Sequence, residues 1–159
     1  MKITIVCVGK IKERFYREAV DEYRKRLGKY CKPEIIEVPD EKTPEGAGAA
    51  LEEQIRAKEG KRILQKLPED AYVCTLEIGG RRFSSEGLAE WLEKLTVGGA
   101  SHIAFVIGGS LGLHEDVCKR GDMSLSFSDM TFPHQLMRVI LTEQIYRAFR
   151  IINGEPYHK

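Results

Sequence analysis

Two stretches of the chain hold residues whose types and spacing could do chemistry. Gly108-Gly109-Ser110-Leu111-Gly112 is a literal GxSxG between an apolar run and a short helical segment, the setting of a serine nucleophile elbow. A serine hydrolase using Ser110 also needs an acid and then a histidine further along. The only late pairing, Asp129 with His134, falls within one turn of chain. The same glycines suit another use. Lacking side chains, they let a flat ligand approach the backbone and meet its N–H and C=O groups. Neither GxGxxG nor GxxxxGKS/T occurs, so no dinucleotide fingerprint or P-loop is expected.

The second stretch is Ser126–Pro133 with the residues that follow. Ser128, Asp129 or Thr131 could cap a helix that Pro133 begins. A cap is worth about 1 kcal/mol, which accounts for one of these residues and not for Phe127, Met130 and Phe132. Those three could wall an apolar slot floored by backbone amides, as an adenine pocket requires. His134 and Arg138 stand four apart on one helix face, either as a polar helix start or as a pair facing substrate. Glu143 and Arg147 read as an intrahelical ion pair. The tail Asn153–Lys159 should fray if it has no role, although Tyr157 could stack on a base and His158 and Lys159 could touch phosphate.

The elements that must position these residues alternate. Strands are expected at Ile3–Val8, Glu34–Val38, Ala71–Ile78, Ile103–Ile107 and Met123–Phe127. Helices are expected at Ile11–Leu27, Ala49–Leu67, after the caps Ser84 or Ser85, around Glu115–Lys119, and over Pro133–Ile152. Pro39–Gly48 reads as a mobile surface loop. Five strand–helix alternations predict a single α/β domain over residues 1–159, a mostly parallel sheet with helices on both faces. Ligands in such sheets bind at the carboxyl ends of the strands. Three turns lie there: Glu77–Arg81, Gly108–Gly112 and Ser128–Pro133. The last helix is apolar over well over half its surface, so it should be central or meet a second subunit.

Composition narrows the function classes. Hydrophobic residues make up 42% and charged ones 31%, as in globular proteins. The net charge of +1 gives the whole molecule no strong pull on nucleic acid. No apolar run approaches the roughly 18 residues that span a bilayer, and the first strand lacks a signal-peptide cleavage site. A cytoplasmic protein without a membrane partner is expected. Cys7, Cys31, Cys74 and Cys118 form no CxxC pair, and the four histidines show no HxxxH or HExxH spacing. Metal and disulfide sites therefore have no support.

The MKITIVCVGKIK start, the GGSLGL turn, the LSFSDMTFPHQLMR segment and the YRAFRIINGEPYHK ending closely resemble the RlmH family. These are bacterial methyltransferases acting on N3 of a pseudouridine in large-subunit (23S) ribosomal RNA, within the SPOUT superfamily. The resemblance covers the whole chain. It implies a trefoil knot in the C-terminal half, which connection rules alone argue against. It also implies S-adenosyl-L-methionine as cofactor, bound by Leu76, Gly108, Phe127, Ser128, Asp129, Met130, Thr131 and Phe132. A homodimer is implied as well, each site being completed by the partner. His134, Tyr157 and His158 become candidates for substrate contact or proton removal, and Arg138 for phosphate or developing charge. A weakly basic dimer should find its RNA within the assembled ribosome. Two other readings stand beside this one: a small serine hydrolase, and a non-enzymatic ribosome-associated dimer.

Overall fold

In the computed structural model, which describes residues 1–159, the first strand shows how the sheet divides the molecule. Along β1 (Lys2–Val8), Ile3, Ile5 and Cys7 face one core and Val6 and Val8 face the other, because successive side chains of a strand point to opposite faces. The first core is closed by α1 (Arg14–Leu27), α3 (Ser85–Val97) and α5 (His134–Ile152). The second is closed by α2 (Ala49–Lys66) and α4 (Glu115–Arg120). The remaining strands are β2 (Lys32–Val38), β3 (Tyr72–Arg82), β4 (His102–Ile107) and β5 (Met123–Ser126). All pair in parallel, in the order β2-β1-β4-β3-β5. The expected α/β architecture with helices on both faces is therefore present.

Several boundaries differ from expectation for identifiable reasons. Pro33 lies inside β2, tolerated because β2 is an edge strand and needs no amide on its open side. The Gly79-Gly80 turn is not a turn, since β3 runs on to Arg82. Leu125 of β5 pairs with Leu76 before this stretch and with Arg81 after it. The register therefore shifts across the intervening Glu77–Gly80 segment, and Gly80 packs directly onto the β5 backbone, a close crossing point of the two strands. At the crossing, a Cβ on Gly80 would sit 2.8 Å from the carbonyl carbons of both Ser124 and Leu125. Such a crossing is compatible with a threaded C-terminal half.

Caps follow the sequence at one helix and not at another. Ser84 caps α3 as expected, its hydroxyl accepting from the Gly87 amide at 3.0 Å. Ser84→Ala should lower stability by about 1 kcal/mol in urea denaturation, and an unchanged midpoint would contradict that role. At α5, none of Ser128, Asp129 and Thr131 caps. The N-cap is Pro133, which has no side-chain acceptor. Ser128 instead accepts from the Met130 amide at 3.0 Å within its own turn, and Asp129 pairs with Arg82 beyond the crossing. Gln135 accepts from the Lys12 amide at 2.9 Å, tying the start of α5 to the segment after β1.

The tail does not fray. Glu155 accepts from Tyr30 at 2.7 Å and from Lys29 at 3.0 Å, and pairs with Arg150. Tyr157 donates to Glu143 at 3.1 Å and lies edge-on to Tyr146. His158 sits between Glu86 at 2.7 Å and Arg147 at 3.2 Å. The Glu143–Arg147 pair forms as expected, at 2.6 Å, and provides part of this docking surface. The Pro39–Gly48 loop is likewise tethered at its start, where Arg62 donates to the Pro39 carbonyl at 2.9 Å and Glu59 accepts from the Glu41 amide.

Candidate active site

The three strand-end turns converge. Leu76 and Glu77 at the end of the regular part of β3, the glycine turn after β4, and the loop between β5 and α5 enclose one cavity of about 650 Å³. That volume lies within the usual range for small-molecule sites. Ten of its nineteen lining residues are hydrophobic. Of the eight residues assigned to the cofactor, Leu76, Gly108, Phe127, Ser128, Met130, Thr131 and Phe132 line it. Asp129 does not, because its carboxylate is turned to Arg82.

The glycine turn is built for close approach. Gly112 takes φ +83°, and its amide donates to the Gly109 carbonyl at 3.1 Å, closing a tight loop. A Cβ at Gly108 would meet the Gly112 carbonyl carbon at 2.9 Å. One at Gly109 would press on Val8 and on the Glu59 carboxylate, both at 3.1 Å. Glu59 is buried in α2 behind this turn, and burial pushes its carboxyl above the usual range. Apolar walls from Leu76, Phe127 and Phe132, with the backbone of Gly108, Gly109 and Gly112 open to close approach, fit a flat heterocycle.

The hydrolase reading is not favoured. Ser110 lies at the exposed rim of the turn. The Nδ1 of His134 is buried without a hydrogen-bond partner, so no acid orients the ring, and Asp129 is occupied by Arg82.

The four candidates for substrate chemistry separate. His134 lines the cavity, beside Gly9. Burial holds its imidazole below the ordinary histidine range. The positive charges of Arg138 and Lys12 add to that, while Asp40 opposes it. Arg138 does not reach the cavity. It is 0% exposed and donates to the Val8 and Gly9 carbonyls at 3.0 and 2.7 Å. The helix turns it under the end of β1 and away from the cavity lining. Tyr157 and His158 are absent from the cavity of their own chain. Glu77 is a residue that sequence reasoning misses. A strand-end acid is a weak signal, yet Glu77 and His134 are the only ionisable side chains lining the cavity. Thr75 donates to Glu77 at 2.6 Å and fixes its position. Met137, one turn beyond His134, also lines the site.

No group of three or more His, Cys, Asp or Glu residues is placed to hold a metal ion, and no helix is long and apolar enough to cross a membrane. The family described as "Predicted SPOUT methyltransferase" matches residues 1–158. The chain is 59% identical over 159 residues to "Ribosomal RNA large subunit methyltransferase H" of Bifidobacterium adolescentis, covering 100% of both chains. Among solved structures, a probable methylase family protein from Haemophilus influenzae superposes with a TM-score of 0.54, over 99% of this chain and 70% of that one. At 14% identity, this last likeness speaks for the fold alone. With a full-length family match and a full-length relative, the chain belongs to the SPOUT methyltransferase family.

Proposed function

We propose that the protein transfers a methyl group from S-adenosyl-L-methionine to N3 of a pseudouridine in large-subunit ribosomal RNA, as a homodimer acting on the assembled ribosome. One observation carries this reading. Three sequence-distant turns close a single apolar-walled cavity in a chain 59% identical, end to end, to a protein named as a ribosomal RNA large subunit methyltransferase.

Leu76, Phe127 and Phe132 would wall the cofactor, and the turn at Gly108 would meet its polar edges. The cofactor supplies a methyl already activated on a positively charged sulfur. The chain must then orient N3 towards that methyl and take its proton. We assign the proton to His134; this is supported by its position in the cavity lining, and by burial and cationic neighbours that favour the uncharged ring. Tyr157 is not suited to that role. Burial and hydrogen bonding with Tyr23 and Glu143 push its phenol well above the ordinary range, so it serves as a donor.

The dimer is supported by α5. Leu136, Val139 and Ile140, spaced three and four apart, remain partly exposed on the single chain. At the mouth of the cavity, Met130 is 73% exposed. The trefoil knot is supported by the register shift between β3 and β5 and by the close packing of Gly80 on the β5 backbone there.

The decisive test is methyl transfer from labelled cofactor to ribosomes lacking the modification, beside the same RNA stripped of protein. With a net charge of +1, affinity cannot come from charge alone, so assembled ribosomes should be methylated and naked RNA hardly at all. Equal rates on both would remove the requirement for an assembled surface. No incorporation into either would leave a ribosome-associated dimer without activity.

A further inference from the structure

The buried arginine poses a problem of its own. Arg138 is fully enclosed, yet two of its three guanidinium nitrogens, Nε and one Nη, are buried without a hydrogen-bond partner. That Nη lies 3.4 Å from the Glu37 carboxylate, which is itself partly open to solvent. Burying a charge with unmet donors is costly, and an apolar side chain in the same space would usually serve the fold as well or better. One helical turn earlier, the Nδ1 of His134 is also buried and unpartnered. The two orphaned groups are stacked at positions i and i+4, the imidazole towards the cavity and the guanidinium behind it.

We infer that Arg138 is a positioning residue for the reaction: locked to the end of β1 one turn behind His134, it holds a fixed positive charge against the ring that must take the proton. The inference rests on the reading that His134 takes the N3 proton. A second positive charge one turn away in a poorly solvated site repels protonation of the ring far more strongly than it would in water. The carbonyls of Val8 and Gly9 fix the guanidinium so that it cannot swing away, which a lysine on a flexible stem would do less well. The other groups around the ring are Lys12 from the segment after β1, which acts in the same sense, and Asp40 from the loop after β2, which acts against it. Glu37 on β2 partly offsets Arg138, and Glu77 is the other ionisable group of the cavity.

NMR titration of the histidine rings tests this directly, with His134 assigned through its loss in His134→Asn. In the unaltered protein His134 should titrate below the ordinary value of 6.5. In Arg138→Gln, which keeps an amide donor for the carbonyls, the midpoint should rise towards that value, and in Arg138→Lys it should stay closer to the original. Glu37→Gln, at an exposed position, should move it the other way, because Arg138 loses its partial counter-charge; this variant serves even if Arg138→Gln fails to fold. The acid limb of the methylation rate should follow the NMR midpoint in every variant, rising at higher pH in Arg138→Gln because a protonated ring cannot accept. An unmoved His134 midpoint in both Arg138→Gln and Glu37→Gln overturns the inference. A midpoint that moves while the acid limb stays put upholds the charge effect and removes His134 as the base.

Discussion

Replacing Gly80 by alanine is expected to destabilise the protein by roughly 3 kcal/mol, at the upper end of what overpacking usually costs. The added methyl would lie 2.8–2.9 Å from three backbone atoms of Ser124 and Leu125. Backbone in a paired strand cannot swing aside as a side chain can, so β3 must lift off β5 or β5 must shift. Either movement disturbs Leu76 and Leu125, which both line the cavity, so cofactor affinity should fall with stability. Gly79 provides the control. It is the neighbouring residue of the same strand, but a Cβ there meets nothing within 4 Å. Gly79→Ala should be neutral, or gain about 0.4–1 kcal/mol by restricting the unfolded chain. Urea denaturation at fixed protein concentration compares the two. Similar midpoints for Gly79→Ala and Gly80→Ala would mean that the crossing does not constrain the fold as its distances indicate.

That contrast marks the boundary of what the sequence makes legible. Local signals suffice for the elements: β-branched runs for β1 and β4, a four-residue apolar repeat for α1, glycine pairs at strand and helix ends. They also locate the cavity, because a run such as Phe127, Met130 and Phe132 in a turn has no local explanation. A crossing is different. Gly79-Gly80 carries the same local signature whether the chain turns there or passes over another strand, since only the second requires a distant partner, here Ser124 and Leu125. The identity of the neighbour decides, and the sequence between says nothing of it.

The same limit governs the side chains. An arginine at the start of an amphipathic helix reads as a solvent-facing cation, and the i, i+4 spacing with His134 correctly places both on one face. What the spacing does not convey is depth: β1 ends directly beneath that face, and its last carbonyls capture Arg138. Asp129 reads as a cap because most aspartates before a helix are caps, but Arg82, brought alongside by the crossing, is the stronger partner. The tail reads as a fraying end because its partners are scattered: Lys29 and Tyr30 in the turn after α1, Glu86 on α3 and Glu143 on α5.

Removing Tyr157, His158 and Lys159 should lower methylation by on the order of 100-fold or more, the scale seen when a substrate-positioning contact is lost, and leave cofactor affinity by calorimetry nearly unchanged. The cavity supports the second half of that expectation, since no tail residue lines it. The docking geometry supports the first. Within one chain the tail is held against α5 and the start of α3 by Glu143, Arg147 and Glu86, which fixes it without directing it into its own site. If Tyr157 and His158 serve the reaction, they must do so across a dimer contact, each tail reaching the partner's cavity. Mixed dimers then distinguish the two arrangements. A tail-truncated chain retains an intact cavity, and a His134→Asn chain retains an intact tail, so neither should be active alone. Paired with each other, they should form one complete site per dimer and recover a substantial part of the rate. Recovery requires that the tail act in trans. Failure to recover, with the mixed dimer demonstrated by mass, would assign the tail to its own subunit, and full activity of the truncated chain by itself would show that the tail takes no part.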